Sequence, residues 1–370
     1  MEMIKKNVAS IQQQPTWLSE VAVVRQACRV GVLGSLALAG LMLLGGAARA
    51  GEAIHNVLDD GWATAVSVHF SGRLTEAHAG TKAEGGALST LRRQAKNLFA
   101  SGEEGRVAWR TGSLQWQTRA DDLGYWEWRG NVPLPPAALG AGWHTIQSDP
   151  VASSTGSAGT PGVPPGHAAG LLVHDPRNTS GLISDIDDTI LVTQVLDKPR
   201  LLKNTLTIPP ESRQAVAGMA ALYQRLASQL PDPAAAPLFY LSASPRQITD
   251  SVRRFLAHNQ FPRGVLQLRE VSTQARSRDP LTDTQAYKIQ RIQAILDAFP
   301  DVRFVLVGDD AEHDPETYAH FQQTQPQRIH SVWIRRIHPD PARPRPAGQR
   351  DLAQLLAGAQ PWPISAPRAD

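Results

Sequence analysis

The chain has 370 residues, 42% of them hydrophobic and 19% charged, with a formal net charge of +3. This length allows two domains and a sizeable core, and this composition excludes a disordered chain. The charge excess lies in the first fifty residues, where Lys5, Lys6, Arg25, Arg29 and Arg49 outnumber Glu2 and Glu20. The balanced remainder makes no electrostatic case for a nucleic-acid partner.

In chain order, the first element is a charge-free run at 30–48, VGVLGSLALAGLMLLGGAA, with basic residues before it and Ala48-Arg49-Ala50 after it. A positive flank, an apolar stretch and a small-x-small site predict a signal peptide over 1–50. The run is also long enough to span a bilayer, so an uncleaved N-terminal anchor is the other reading. Either exports the remainder: periplasmic, or anchored to the inner membrane facing the periplasm. Cys28, the single cysteine, precedes the run. The chain after it therefore has no disulfide, no thiol nucleophile and no cysteine metal site.

Residues 51–152 carry β signals. TAVSVHFSGRL and GRVAWRTGSLQWQTRADDLGYWEWRG alternate with period two, and Asp121-Asp122-Leu123-Gly124 punctuates a turn. The pattern predicts a small antiparallel sandwich, interrupted at 83–101 by a stretch compatible with a helix. Six of the nine tryptophans fall in this half, among them Trp126 and Trp128 on one side of a strand. They read as core, with an aromatic binding face as the alternative. The Gly/Pro/Ser-rich segment 153–170 reads as a loop or linker. The strand-like GLLVHDP after it could belong to either half.

From 171 to 340 short apolar strands alternate with helical patterns. Gly181-Leu182-Ile183, LFYL, VLQL, RFVLV and SVWI read as strands. Val216, Met219, Tyr223, Leu226 and Leu230 recur at helical spacing, as do Ile248, Val252, Phe255 and Leu256, and Ile289, Ile292, Leu296 and Phe299. This predicts an α/β fold: a doubly wound parallel sheet that binds ligands beyond its carboxyl ends. Residues 341–370 read as a Pro/Arg-containing tail. Its arginines, with Arg335 and Arg336, form either a solvated face or a contact with an anionic membrane surface.

Three strands end in polar residues. The first ends in Asp185-Ile186-Asp187-Asp188-Thr189, the second in Ser242-Ala243-Ser244-Pro245-Arg246-Gln247 and the fourth in Gly308-Asp309-Asp310-Ala311-Glu312-His313-Asp314. A parallel sheet brings these tips together, and so many carboxylates need a cation. Oxygen ligands beside a phosphate favour Mg2+. An EF-hand loop fails, because Thr189 and Ile190 stand where Asp/Asn and Gly are needed. A sugar-transferase Asp-x-Asp site would explain the first tip and not the other two. Ser244, Pro245 and Gln247 read as a helix start, with an N-cap serine, a proline at the first helical position and a capping-box partner. Lys288 sits early in the helix that leads to Asp309 and could reach back over the same mouth.

These residues carry a resemblance. ISDIDDTIL, FYLSASPRQ, the lysine of YKIQRIQAIL and VLVGDDAEHDPETY are similar to the motifs of the haloacid dehalogenase (HAD) superfamily of aspartate-nucleophile phosphatases. Within it, the segment 181–334 resembles the family of the actin-patch-associated phosphatidate phosphatase catalytic domain. The resemblance implies a HAD-like sheet with a small or absent cap and a magnesium-dependent phosphatase working through an aspartyl-phosphate. It implies Asp185 as nucleophile, Asp187 as general acid and base, and Ser242 and Lys288 as phosphate holders. Thr189 would support the loop. Magnesium would be held by the Asp185 side chain, the Asp187 carbonyl and Asp309, with Asp314 as a further ligand or a supporting acid. The implied substrate is a phosphate monoester with an open approach, phosphatidate or a related lipid phosphate. Asp310, Tyr287 and Arg246 stand where the family often has serine, histidine and an aromatic residue. The rival reading is a non-catalytic envelope protein that binds through the Trp-rich half, with a regulatory phosphatase-like half.

Overall fold

The computed structural model describes residues 54–76, 102–130, 139–148, 169–193, 208–270, 283–338, 340 and 342–358. The leader 1–50, the interruption at 83–101, nearly all of the 153–170 linker and the last part of the tail lie outside the described residues. So does 194–207, the greater part of the stretch from which the small or absent cap is inferred. Among the described residues no helix is long and apolar enough to cross a membrane.

The upstream half is built from β1 (Ile54–Leu58), β2 (Gly61–Ala63), β3 (Val68–Glu76), β4 (Gly105–Thr111), β5 (Leu114–Ala120), β6 (Tyr125–Gly130), β7 (Gly142–Thr145), β8 (Gln147–Ser148) and β9 (Gly170–Val173). A six-stranded sheet runs β1-β3-β2-β9-β7, with β6 also paired to β3, and a three-stranded sheet runs β5-β4-β8. Alternation explains the packing. In β4, Val107, Trp109 and Thr111 are buried while Arg106 and Arg110 face solvent. Val107, Trp109 and Ala120 of the small sheet meet Phe70, Leu74, Trp126 and Leu171 of the large one. Trp109 stacks on Trp126 at 4.5 Å. The tryptophans on this side therefore fill or pad the core rather than forming a binding face. One expectation changes here: the pair β2–β9 is parallel, so the sheet is mixed. Strand β9, which the sequence left open between the halves, also pairs with β7, so Gly170–Val173 lies in the β-rich sheet.

Strands β10 (Ser180–Asp185), β11 (Leu238–Pro245), β12 (Val265–Arg269), β13 (Arg303–Asp309), β14 (Ile329–Arg335) and β15 (Gln349–Asp351) form the second sheet. Its order is β12-β11-β10-β13-β14-β15, and every pairing is parallel. The helices are α1 (Met219–Ser228), α2 (Thr249–His258), α3 (Thr284–Ala298), α4 (Asp314–Thr324) and α5 (Leu352–Leu356). Successive strand residues take opposite faces. Leu182, Val305 and Val307 pack with α1, α2 and α5, while Ile183, Phe304 and Leu306 pack with α3 and α4.

The five strands read from the sequence are all present. Strand β15 and helix α5 are an addition, because Leu352 and Leu355 are buried and the presumed tail continues the sheet. The described residues of both halves fall in one compact unit. Trp62 joins them, meeting Phe239 at 5.9 Å and Phe299 at 6.5 Å.

Candidate active site

Parallel register brings distant tips level. Asp185, the last residue of β10, lies opposite Leu241 of β11, so Ser242 follows beside it. On the other side Ser184 lies opposite Val307, two residues before Asp309 at the end of β13. Oxygens of Asp185, Asp309 and Asp314 all lie within 4.8 Å of one another, and all three residues are buried. Lys288 of α3 enters from below. Its Nζ donates to Asp185 Oδ1 at 2.8 Å and to Asp314 Oδ1 at 2.5 Å, with the lysine side chain 3% exposed.

Asp314 is the first residue of α4, and Pro315 occupies the start of that helix. This helix is not among the elements expected from the sequence. The second oxygen of Asp314 accepts from the Asp309 N–H at 3.4 Å, so protein donors occupy both of its oxygens. Gly308 permits this approach. A Cβ there would collide with the Asp314 carboxylate and the Tyr318 ring. Asp309 is steadied by Thr189 Oγ1, donating at 3.2 Å, and by the Ala311 N–H at 2.7 Å.

The Asp187 side chain points elsewhere. Its Oδ2 accepts from Ser242 Oγ at 2.7 Å and Ser244 Oγ at 3.2 Å. Ser244 is therefore no helix cap. After β11 comes a short 3-10 turn, Arg246–Ile248, and α2 begins at Thr249 with no side-chain cap. Local capping logic failed because β11 runs on through Pro245 and a 3-10 turn follows, so the α-helix starts five residues past Ser244. Ser244 was thus a missed site residue, and the only sequence signal was a second serine two positions after the first. Asp188 takes a left-handed φ of 55° and caps the loop, accepting from the Thr193 N–H at 2.9 Å and from the Thr193 hydroxyl.

Asp310 turns away from the cluster and accepts the N–H groups of Ile337 and His338 at 2.7 and 2.9 Å. Arg335 donates to the Asp188 carbonyl, and Arg343 donates to the Asp310 carbonyl at 2.6 Å and to Glu316. Two arginines of the basic cluster thus brace the acidic loops. Tyr287 is fully buried in the core.

Electrostatics follow from this crowding. Burial pushes Asp185 well above the ordinary carboxylate range; Lys288 opposes the shift, and Asp314, Asp309 and Asp187 add to it. Burial and Asp314 push Asp309 up to about 7. Asp187 is raised by burial against the opposing hydrogen bonds of Ser242 and Ser244. Lys288 is held well above its usual value by Asp185 and Asp314, despite a burial penalty. One oxygen of Asp185, Oδ2, is buried with no hydrogen-bond partner among the described residues. An orphaned carboxylate oxygen beside Asp309, in an all-oxygen set with excess negative charge, fits a hard divalent cation.

Residues 180–336 match the family model described as "Phosphatidate phosphatase APP1, catalytic domain". A protein of Saccharomyces cerevisiae named Phosphatidate phosphatase APP1 is 36% identical over 155 residues, 42% of this chain and 25% of that protein. An uncharacterized protein of Schizosaccharomyces pombe is 27% identical over 174 residues, 44% of this chain and 26% of its own length. The chain thus spans about a quarter of the length of these two relatives. Among solved structures, a carbohydrate acetylesterase from Xanthomonas citri aligns with 10% identity over 76% of this chain and 67% of its own. Its TM-score of 0.23 carries no argument.

Proposed function

We propose, from the match of residues 180–336 to the phosphatidate phosphatase APP1 catalytic-domain family model, that this chain is a magnesium-dependent phosphatase of phosphate monoesters, with phosphatidate or a related lipid phosphate as substrate. The observation that carries the reading is Lys288 bridging Asp185 and Asp314, with Asp309 in the same cluster. Structural ion pairs balance their charges, whereas this cluster leaves an excess of acids around one lysine. Such imbalance marks sites prepared for a cation and a reacting group.

Asp185 and Asp309 would hold the cation together with the Asp187 carbonyl, and Asp314 would brace Lys288 and Asp309 behind them. The cation would supply charge neutralisation around the phosphoryl group. An Asp185 oxygen attacks phosphorus, an aspartyl P–O bond forms, and the bond from phosphorus to the ester oxygen breaks. Asp187, whose carboxyl burial pushes above its ordinary value, passes a proton to the departing alkoxide. The Asp187 carboxylate then takes a proton from the water that hydrolyses the acyl phosphate, which regenerates Asp185 and releases phosphate. Ser242 and Ser244 fix the angle of Asp187, and Lys288 offsets charge on the phosphoryl oxygens. The leader at 1–50 supports an exported enzyme facing the periplasm, within reach of lipid headgroups.

The test compares the wild-type chain with Asp185→Asn on lipid phosphates, sugar phosphates and phosphopeptides, with magnesium and with chelator. The reading expects release from lipid phosphates in magnesium alone and none from the variant. Undiminished release by Asp185→Asn removes the mechanism, and a preference for sugar phosphates or phosphopeptides removes the substrate class.

A further inference from the structure

The turn between β11 and α2 is held from two sides. On one side Ser242 and Ser244 donate to Asp187. On the other, Arg246 enters the β-rich half and pairs with Asp59 at 2.6 Å, while its other nitrogen meets Glu270 at 2.6 Å. Its side chain is 13% exposed, and those of Asp59 and Glu270 are 9% and 5% exposed. Gln247 donates to the Tyr125 hydroxyl at 3.1 Å. Within α2, Arg253 pairs with Asp60 at 3.1 Å. The β-rich partners are themselves fixed. Asp59 accepts from Ser71 Oγ at 3.1 Å, and Asp60 accepts the Gly170 N–H at 2.8 Å.

Within the α/β half the turn is anchored by the buried Ile248 side chain and by the Thr249 hydroxyl, which donates to the Arg246 carbonyl at 2.6 Å. The pairing of β11 with β12 breaks register between Ser242 and Pro245. The Ser244 N–H finds Ser242 Oγ rather than a neighbouring strand. A segment outside the ladder needs other contacts to hold two hydroxyls within hydrogen-bond reach of one carboxylate oxygen. Displacement of about 1 Å in such a set costs on the order of a hundredfold in rate.

We infer that the β-rich half is part of the catalytic apparatus: Asp59, through Arg246, is a positioning residue that holds the 242–248 turn so that Ser242 and Ser244 orient Asp187. The assignment rests on Asp187 being the proton-transfer group proposed above. It gives Arg246 a role in joining the halves and none in contacting substrate. It also makes the upstream half more than a tether or a ligand-binding module.

The test uses the full chain with Asp59→Asn, Asp59→Glu and Tyr125→Phe. Asp59→Asn should lower kcat about tenfold at nearly unchanged KM, by misplacement of the turn. Backbone hydrogen exchange within 242–248 should speed up about tenfold while exchange in β13 and α3 stays as in the wild type. Asp59→Glu, which restores the charge, should recover most of both. Wild-type kcat and exchange in a folded Asp59→Asn overturn the inference, as does faster exchange spread evenly over the molecule. If Asp59→Asn does not fold, Tyr125→Phe decides the matter. It removes only the hydroxyl that Gln247 reaches, and should slow kcat and raise exchange in the turn by about twofold. No change in either overturns the inference. Asp185→Asn, run alongside, reports on the catalytic reading alone, so loss of that reading and loss of this one are separable.

Discussion

Buried charge is handled in two opposite ways in this molecule. Where the halves meet, Asp59 and Glu270 face Arg246, and Asp60 faces Arg253, so each carboxylate meets a cation at hydrogen-bonding distance. At the strand tips, Asp185, Asp309 and Asp314 share Lys288, and Asp187 has only hydroxyl partners. The first arrangement gives each acid an arginine and reads as architecture. The second keeps its acids raised and one oxygen orphaned, a cost that a fold would shed unless something else entered the site.

Substitutions can break this contrast. The largest effect should come from Asp185→Asn, which removes the attacking oxygen while keeping the shape; turnover should fall by at least about a thousandfold, as for other lost nucleophiles. Next, Lys288→Met should cut turnover by about a hundredfold or more. It should also destabilise the metal-free protein by about 3 kcal/mol, because two buried carboxylates lose their cation. Thermal melts with and without magnesium check this, and the stability loss should shrink when magnesium is present.

Magnesium at about a hundred times its dissociation constant should raise wild-type stability by about 2.7 kcal/mol, and Asp309→Asn should abolish that gain. Ser242→Ala should slow turnover more than Ser244→Ala, about tenfold against about threefold, since its contact with Asp187 is the shorter of the two. The smallest effect marks the baseline. Arg119 and Glu104 pair on the surface with side chains 66% and 59% exposed, and Arg119→Ala should change stability by under about 0.5 kcal/mol.

Legibility in the sequence followed contact range. The five parallel strands were readable because each is a short apolar run, and three of them end abruptly in acids or hydroxyls. Lys288 was readable from its place in the helix that feeds Asp309. Strand β15, with the sequence Gln-Arg-Asp, has no apolar signal of its own and exists only because β14 offers an edge. Strand β9 looked neutral between the halves, and its pairing with β2 and β7 settled its membership. Ser244 obeyed the local rules for a helix cap, but it lies in β11 and donates to Asp187, and the helix begins only at Thr249. Gln247 and Tyr125 are 122 residues apart, beyond any local pattern.

Labelling tests the central claim most directly. The full wild-type chain is mixed with a lipid phosphate and magnesium, quenched in acid within milliseconds, digested and examined by mass spectrometry. The account predicts a phosphoryl group on Asp185, absent when chelator is added first. Turnover by the wild type with the phosphoryl group on another residue, or on none, would contradict it.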